Sequence, residues 1–243
     1  MSMPTLDYPA LDHPALDHPE NSHVGARAPV HRKVKVWDFP TRAFHWSLVA
    51  VMTVAWLSSE ADGQAFLIHV YVGTLLIGFV VFRVIWGVIG SRHARFGDFV
   101  RGPNEVSGYA RRLLAFRPPF KLGHNPLGGW MVMALLGIIS VTVLSGLMSS
   151  EDGYVGPLAG FAGGVLGETH EGFANFLLVL IGAHVAGVLA HGLISRENLP
   201  RAMITGDKSV PAGQPGEDIK PVGWLRPLMA LAIAVGVVVY FIG

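Results

Sequence analysis

The chain has 243 residues, 51% of them hydrophobic and only 14% charged, with a mean hydropathy of +0.46. That balance is too apolar for an ordinary soluble domain and long enough for several membrane crossings, and a net charge of +1 gives no basis for a nucleic-acid partner. With no cysteine, the chain has no disulfides, thiolate-held iron-sulfur clusters or covalently attached haem, so a redox centre here is held by histidine or methionine.

Residues 1–30 carry a short repeat, Leu6-Asp7-Tyr8-Pro9-Ala10, Leu11-Asp12-His13-Pro14-Ala15, Leu16-Asp17-His18-Pro19. A proline every fifth residue forbids a regular helix, and the composition is too polar for a core, so the segment reads as a disordered cytoplasmic tail without a signal-peptide apolar region. His13, His18, His23 and His31 are irregularly spaced and read as solvated rather than metal-binding.

The basic stretch His31 to Arg42 then precedes an apolar run, the pattern of a cytoplasmic segment leading into an inward-starting helix. Asp38 is the expected N-cap with Pro40 in the first turn, and the first span is expected from Phe39 to Ser58. His45 lies about one and a half turns inside it. Residues 58–64 form a short acidic outer turn, followed by a second span from Ala65 to Ile89 with His69 near its outer end. Gly73, one turn below His69, leaves room for a flat, bulky neighbour, and Arg83 near the inner end either snorkels or pairs with haem propionates.

Ser91 to Asn125 is a basic inner connection. Val106, Tyr109, Ala110, Leu113 and Leu114 recur at helical spacing after Pro103 and predict a short amphipathic helix on the inner membrane surface. His93 and His124 are expected in solvated loops. A third span, Pro126 to Met148, has no charge and no histidine and is assigned to packing. The acidic, glycine-rich outer loop Ser149 to Glu168 is long enough to expect a function.

A fourth span follows around Thr169 to His191. His170 and His184 are 14 residues apart, hence about 40° apart around the helix and about 21 Å along it. They share a face, one toward each end. An ionisable residue in a span is a site candidate by default, whereas a lone histidine there is more often an interhelical hydrogen-bonder; two on one face favour the site. A polar stretch to Gly223 and a fifth apolar segment, Trp224 to Gly243, complete the chain.

Neither outer loop holds a Lys or Arg, and the inner segments are basic, so the positive-inside rule gives an inner-membrane protein with a cytoplasmic N-terminus and a periplasmic C-terminus. Depth then pairs His69 with His170 near the outer face and His45 with His184 toward the inner face. Two histidines on one iron leave no open position, which suits electron transfer. His191, seven residues beyond His184 on nearly the same face, takes its place if the first span sits lower.

The stretches VWDFPTRAFHW, His69 with Gly73, Arg83-Val-Ile-Trp-Gly, ARFGDFVRGP, GHNPLGG, HEGFANFLLVLIGAHVAGV and RENLPRAMITGDK resemble the bacterial cytochrome b561 and hydrogenase-type cytochrome b family over about Val36 to Lys208. The resemblance implies an all-α membrane protein in which a four-helix transmembrane bundle holds two b haems, here with a fifth C-terminal transmembrane helix. It implies His45 and His184 as ligands of the inner haem, His69 and His170 of the outer one, and electron exchange between the quinone pool and a redox partner. The expected domains are a tail at 1–30, a di-haem core at 31–208, and a linker with the last helix at 209–243. The expected partners are quinone and a periplasmic c-type cytochrome or a dehydrogenase or hydrogenase subunit, with a homodimer allowed. No residue is given a catalytic role.

Two other readings compete with this electron-transfer subunit. A superoxide:quinone oxidoreductase of the same fold would profit from a cationic outer funnel, which these loops cannot form. A histidine-lined metal transporter would need acids at mid-membrane, and the span interiors have none.

Overall fold

The computed structural model describes residues 32–151, 154–162 and 166–242. The repeat-bearing tail lies outside the described residues. In chain order come β1 (Arg32–Lys35), α1 (Phe39–Leu57), α2 (Gln64–Ile89), a 3-10 turn (Arg92–Ala94), α3 (Phe96–Phe99), α4 (Pro103–Leu114) and α5 (Pro126–Leu147). They are followed by β2 (Ser150–Glu151), β3 (Tyr154–Val155), α6 (Ala159–Ala162), α7 (Gly167–Ser195), α8 (Leu199–Thr205), β4 (Asp207–Val210) and α9 (Leu225–Ile242). The protein is an all-helical membrane bundle whose two small antiparallel ribbons sit outside the long helices.

The helix starts follow local chemistry. Asp38 caps α1 by accepting from Thr41 N at 2.6 Å, with Pro40 in the first turn, and Asn125 caps α5 by accepting from Gly128 N at 2.8 Å, again with a proline following. Each cap satisfies an otherwise orphaned amide, and proline at that point has no amide to lose. The amphipathic α4 begins at Pro103 as its periodicity predicts, with Tyr109 buried and Leu114 and Phe116 exposed.

Among the described residues α2, α5, α7 and α9 are long and apolar enough to cross a membrane. Helix α1 is less apolar, because Arg42 and His45 occupy its first two turns. Its 19 residues still rise about 28 Å, close to the thickness of a hydrocarbon core. The ribbon of β1 and β4 decides the matter. Arg32 pairs with Val210 and Lys35 with Asp207, so the segments before α1 and after α7 lie on one side. An even number of crossings must separate them, which makes α1 a span together with α2, α5 and α7.

Helix α2 packs against α1, α5 and α9, and α5 packs against α7. Leu76, Ile139, Val143, Leu147 and Leu177 form the buried core joining α2, α5 and α7. The fifth helix is held closely: a Cβ on Gly78 would stand 2.7 Å from Val238 Cγ2, and Ala230 and Ala234 are buried beside it. By contrast, α7 shares few close backbone approaches with α1 and α2, and most of its length apart from Leu177 and His191 is unburied.

At the β1/β4 end the chain builds a small polar-faced cap. Val34, Val36, Trp37, Ala202 and Val210 form its core, with Phe120, Leu122 and Met203 packed on it. Gly206 closes α8 with φ +89° and accepts from both Val36 N and Trp37 N; a Cβ there would lie 2.8 Å from Trp37 O. That combination of left-handed backbone and close approach requires glycine.

Candidate functional site

At the end of the bundle away from the cap, His69 on α2 and His170 on α7 stand with ring centroids 6.0 Å apart and planes at 85°. Each ring is oriented by a neighbouring helix. His69 Nδ1 donates to Ala55 O on α1 at 2.8 Å, and His170 Nδ1 donates to Thr142 O on α5 at 2.8 Å, with Ser145 Oγ at 3.3 Å. A proton fixed on Nδ1 leaves Nε2 as the ligating nitrogen, the arrangement that metal-bound histidines usually show. Gly146 makes space for this: a Cβ on it would lie 2.9 Å from His170 Cε1. Phe66 stacks on His69 at 5.7 Å and meets Tyr154 of β3 edge-on at 6.4 Å, so the outer ribbon covers this pair. Burial raises the Tyr154 hydroxyl above its ordinary value.

Toward the cap, α1 carries His45 in its second turn and α7 carries His184 in its second half. The His45 ring meets Trp46 edge-on at 5.1 Å, and its Nδ1 is buried with no hydrogen-bond partner. His191 differs: it is 7% exposed, its Nδ1 lies 3.3 Å from the Tyr109 hydroxyl, and its Nε2 lies 3.8 Å from Glu197. Its polar capacity is spent within the cap.

The residues present fit haem. With metal–imidazole bonds of about 2.0–2.1 Å, two histidines on opposite sides of one iron have ring centroids roughly 6 Å apart, as His69 and His170 do. Cβ atoms on Gly73 and Gly137 would meet nothing within 4 Å, so both border open space. Among the described residues no three His, Asp or Glu side chains gather around a point.

Arg83 is 6% exposed, donates through Nη1 to Ala94 O at 3.1 Å, and lies over the rings of Phe96 and Phe99 at 4.9 and 5.6 Å. It is held inside the cap and does not reach out to solvent. Gly87 admits the Phe96 ring, since a Cβ there would stand 2.2 Å from Cε2.

His93 and His124, expected in solvated loops, are instead packed into the cap. His93 is 5% exposed and donates from Nδ1 to Asp98 Oδ2 at 2.8 Å. His124 lies against Trp37 and Phe99 at 4.7 and 4.5 Å, and its Nδ1 is buried without a partner. Burial, reinforced by the charges of Arg83 and His93, pushes its pKa down to about 3. Nearby, Lys208 Nζ pairs with Glu197 Oε2 at 2.8 Å. Burial alone would raise Glu197, but the hydrogen bonds and charges of His191 and Lys208 together hold it below the usual carboxylate range. Tyr109 is pushed up to about 12, first by burial and then by the Glu197 charge.

Sequence reasoning missed Thr142, Ser145, Gly146 and the Ala55 carbonyl. A histidine count cannot find a backbone acceptor. The available signal was a small residue, Gly146, at the outer end of a span already assigned to packing.

A family model described as prokaryotic cytochrome b561 matches residues 36–206. A relative named as a probable Ni/Fe-hydrogenase B-type cytochrome subunit, from Rhizobium leguminosarum bv. viciae, is 24% identical over 222 residues, covering 76% of this chain and 92% of the relative. A protein of the same name from Bradyrhizobium diazoefficiens is 22% identical over 222 residues, covering 76% of this chain and 89% of its own length. No solved structure matches the chain. The helical bundle and this family match agree, and the chain belongs to the prokaryotic cytochrome b561 family of multi-pass membrane electron-transfer proteins that bind b-type haem.

Proposed function

We propose that this protein carries electrons across the cytoplasmic membrane between the quinone pool and a redox partner, through two b haems, each held by a histidine pair. The observation that carries this reading is the placement of one histidine pair toward each end of the bundle. Helix α7 contributes a member to both, about 21 Å apart along its axis. His69 and His170 would hold the outer haem, and His45 and His184 the inner one. When bound, haem would supply a one-electron iron couple.

The chain's own contribution is orientation and electrostatics. The carbonyls of Ala55 and Thr142 fix the outer rings, and Gly73 borders the space left for the macrocycle. Arg83 places a buried positive charge beside the inner end, where it favours the electron-rich state. The basic cap faces the cytoplasm by the positive-inside rule, and α9 then ends in the periplasm.

The names of the two relatives support a hydrogenase as the partner, and a c-type cytochrome is the alternative. Superoxide as substrate is disfavoured by exposed Glu60, Asp62, Glu168 and Glu171 at the outer end, where the loops 58–64 and 149–168 contain no Lys or Arg. The test is reduction of the purified protein by a short-chain quinol, followed by optical difference spectroscopy. Reduction of b-type haem supports the reading, and a protein with full haem that quinol never reduces refutes the quinone link.

A further inference from the structure

At the membrane boundary of the cap lies a cavity of about 170 Å³ whose wall carries Arg92, His93, Asp98, Arg101, Lys121 and His124. It belongs to neither histidine pair. Its cations outnumber its one carboxylate, and that carboxylate is already engaged: Asp98 takes His93 at 2.8 Å on one oxygen and Arg92 at 3.6 Å on the other. Deeper in, His124 Nδ1 is buried with no partner, and Arg83 behind it adds to the positive field. An anion would satisfy the field and the orphaned nitrogen together. The volume far exceeds the 10–15 Å³ or so that one water needs. The lining is too charged for a quinone ring, whose pockets are mostly apolar.

The depth of the cavity identifies the anion. Trp130, in the second turn of α5 and exposed, donates from Nε1 to Arg101 O at 2.8 Å, which ties the cavity wall to an interfacial tryptophan. Beside it, α4 and its end expose Leu114 and Phe116, apolar anchors for a helix lying in the headgroup layer. Basic pockets at this level meet a high local concentration of lipid phosphate. We infer that this cavity binds the phosphodiester headgroup of an anionic phospholipid from the adjacent leaflet, with Arg101 and Lys121 as the principal cations and His124, in its Nδ1–H tautomer, as the inner hydrogen-bond donor.

The inference is independent of how many haems the bundle holds. It is tested on the purified haem-loaded protein in neutral detergent by native mass spectrometry, titrating phosphatidylglycerol, phosphatidylcholine and inorganic phosphate separately. Phosphatidylglycerol is expected to bind best, and Arg101→Gln with Lys121→Gln to weaken it about 30-fold, about five-fold per cation removed giving the order of magnitude. Arg111→Gln with Arg112→Gln, the same charge loss on the exposed face of α4, is expected to leave binding and haem content unchanged. Should the double cavity variant not fold, Lys121→Gln alone is expected to give the single five-fold loss. Equal binding of the two lipids, an undiminished cavity variant, an equal loss in the α4 control, or inorganic phosphate binding as tightly as phosphatidylglycerol would each overturn the proposal. So would loss of a haem from the cavity variant with lipid binding intact, which would make the cavity a propionate seat.

Discussion

His170 on α7 donates its Nδ1 proton to Thr142 O on α5 at 2.8 Å, while its ring centroid stands 6.0 Å from that of His69 on α2. One helix orients the ring and a different helix supplies its partner. With Ala55 O on α1 orienting His69, the arrangement is a property of four helices together.

Gly146 is the clearest test of that dependence. A Cβ at this position would meet the His170 ring at 2.9 to 3.0 Å, and the ring cannot retreat without breaking its bond to Thr142 O. Gly146→Val is expected to lower occupancy of the outer haem while leaving the inner one in place, read as haem per protein and as selective loss of one spectral component. Full occupancy with an unaltered spectrum would show that the ring is not held as described.

Arg83 combines a structural and an electrostatic role. Arg83→Leu removes the donor to Ala94 O and the cation over Phe96 and Phe99, leaving a buried carbonyl unpaired at a cost of about 1–3 kcal/mol. Loss of the buried charge is also expected to lower the reduction potential of the inner haem. Redox potentiometry checks the second effect and thermal unfolding the first. An unchanged potential with lowered stability would confine Arg83 to the cap.

The cap has an acid limit. The Glu197 carboxyl is depressed in the folded state, so its ionised form stabilises the fold above the unfolded value of about 4.3, and that contribution is lost as pH falls through the depressed value. Amide exchange in β1 and β4 should therefore accelerate on acidification below about pH 4. Glu197→Gln should abolish that dependence and destabilise the cap at neutral pH by about 3–5 kcal/mol, because Lys208 is left buried without its counter-ion.

Much of this was legible in the chain. Long uncharged runs mark α2, α5, α7 and α9, and Asp38 and Asn125, each followed by a proline, mark two helix starts to the residue. The four histidines proposed as ligands stand out because imidazole is conspicuous in apolar sequence. The β1/β4 ribbon was not legible, since it joins Lys35 to Asp207 across four spans and nothing local encodes so distant a pairing. Burial of His93 and His124 also escaped notice. Both lie in segments of loop-like composition, and only the meeting of the stretches around Phe99 and Gly123 encloses them. The carbonyls of Ala55 and Thr142 leave no trace in sequence at all.

The end of the bundle that carries His69 and His170 is acidic where it is exposed, at Glu60, Asp62, Glu168 and Glu171. Electron exchange with a basic c-type cytochrome should therefore slow as ionic strength rises, since such fields are screened over about 8–10 Å at physiological salt. Glu60→Gln with Asp62→Asn should lower the association rate without changing the haem spectrum. Stopped-flow rates indifferent to both salt and substitution would dismiss this docking face.

The central claim is that two histidine pairs hold two haems, and haem quantification of single-ligand variants tests it most directly. The wild-type protein is expected to carry two b haems. His170→Ala and His69→Ala should each retain the inner haem alone, and His184→Ala and His45→Ala the outer haem alone, each read from haem per protein and the reduced-minus-oxidised spectrum. A single haem in the wild type, or a His184→Ala variant that keeps both haems while His191→Ala loses one, would contradict the account.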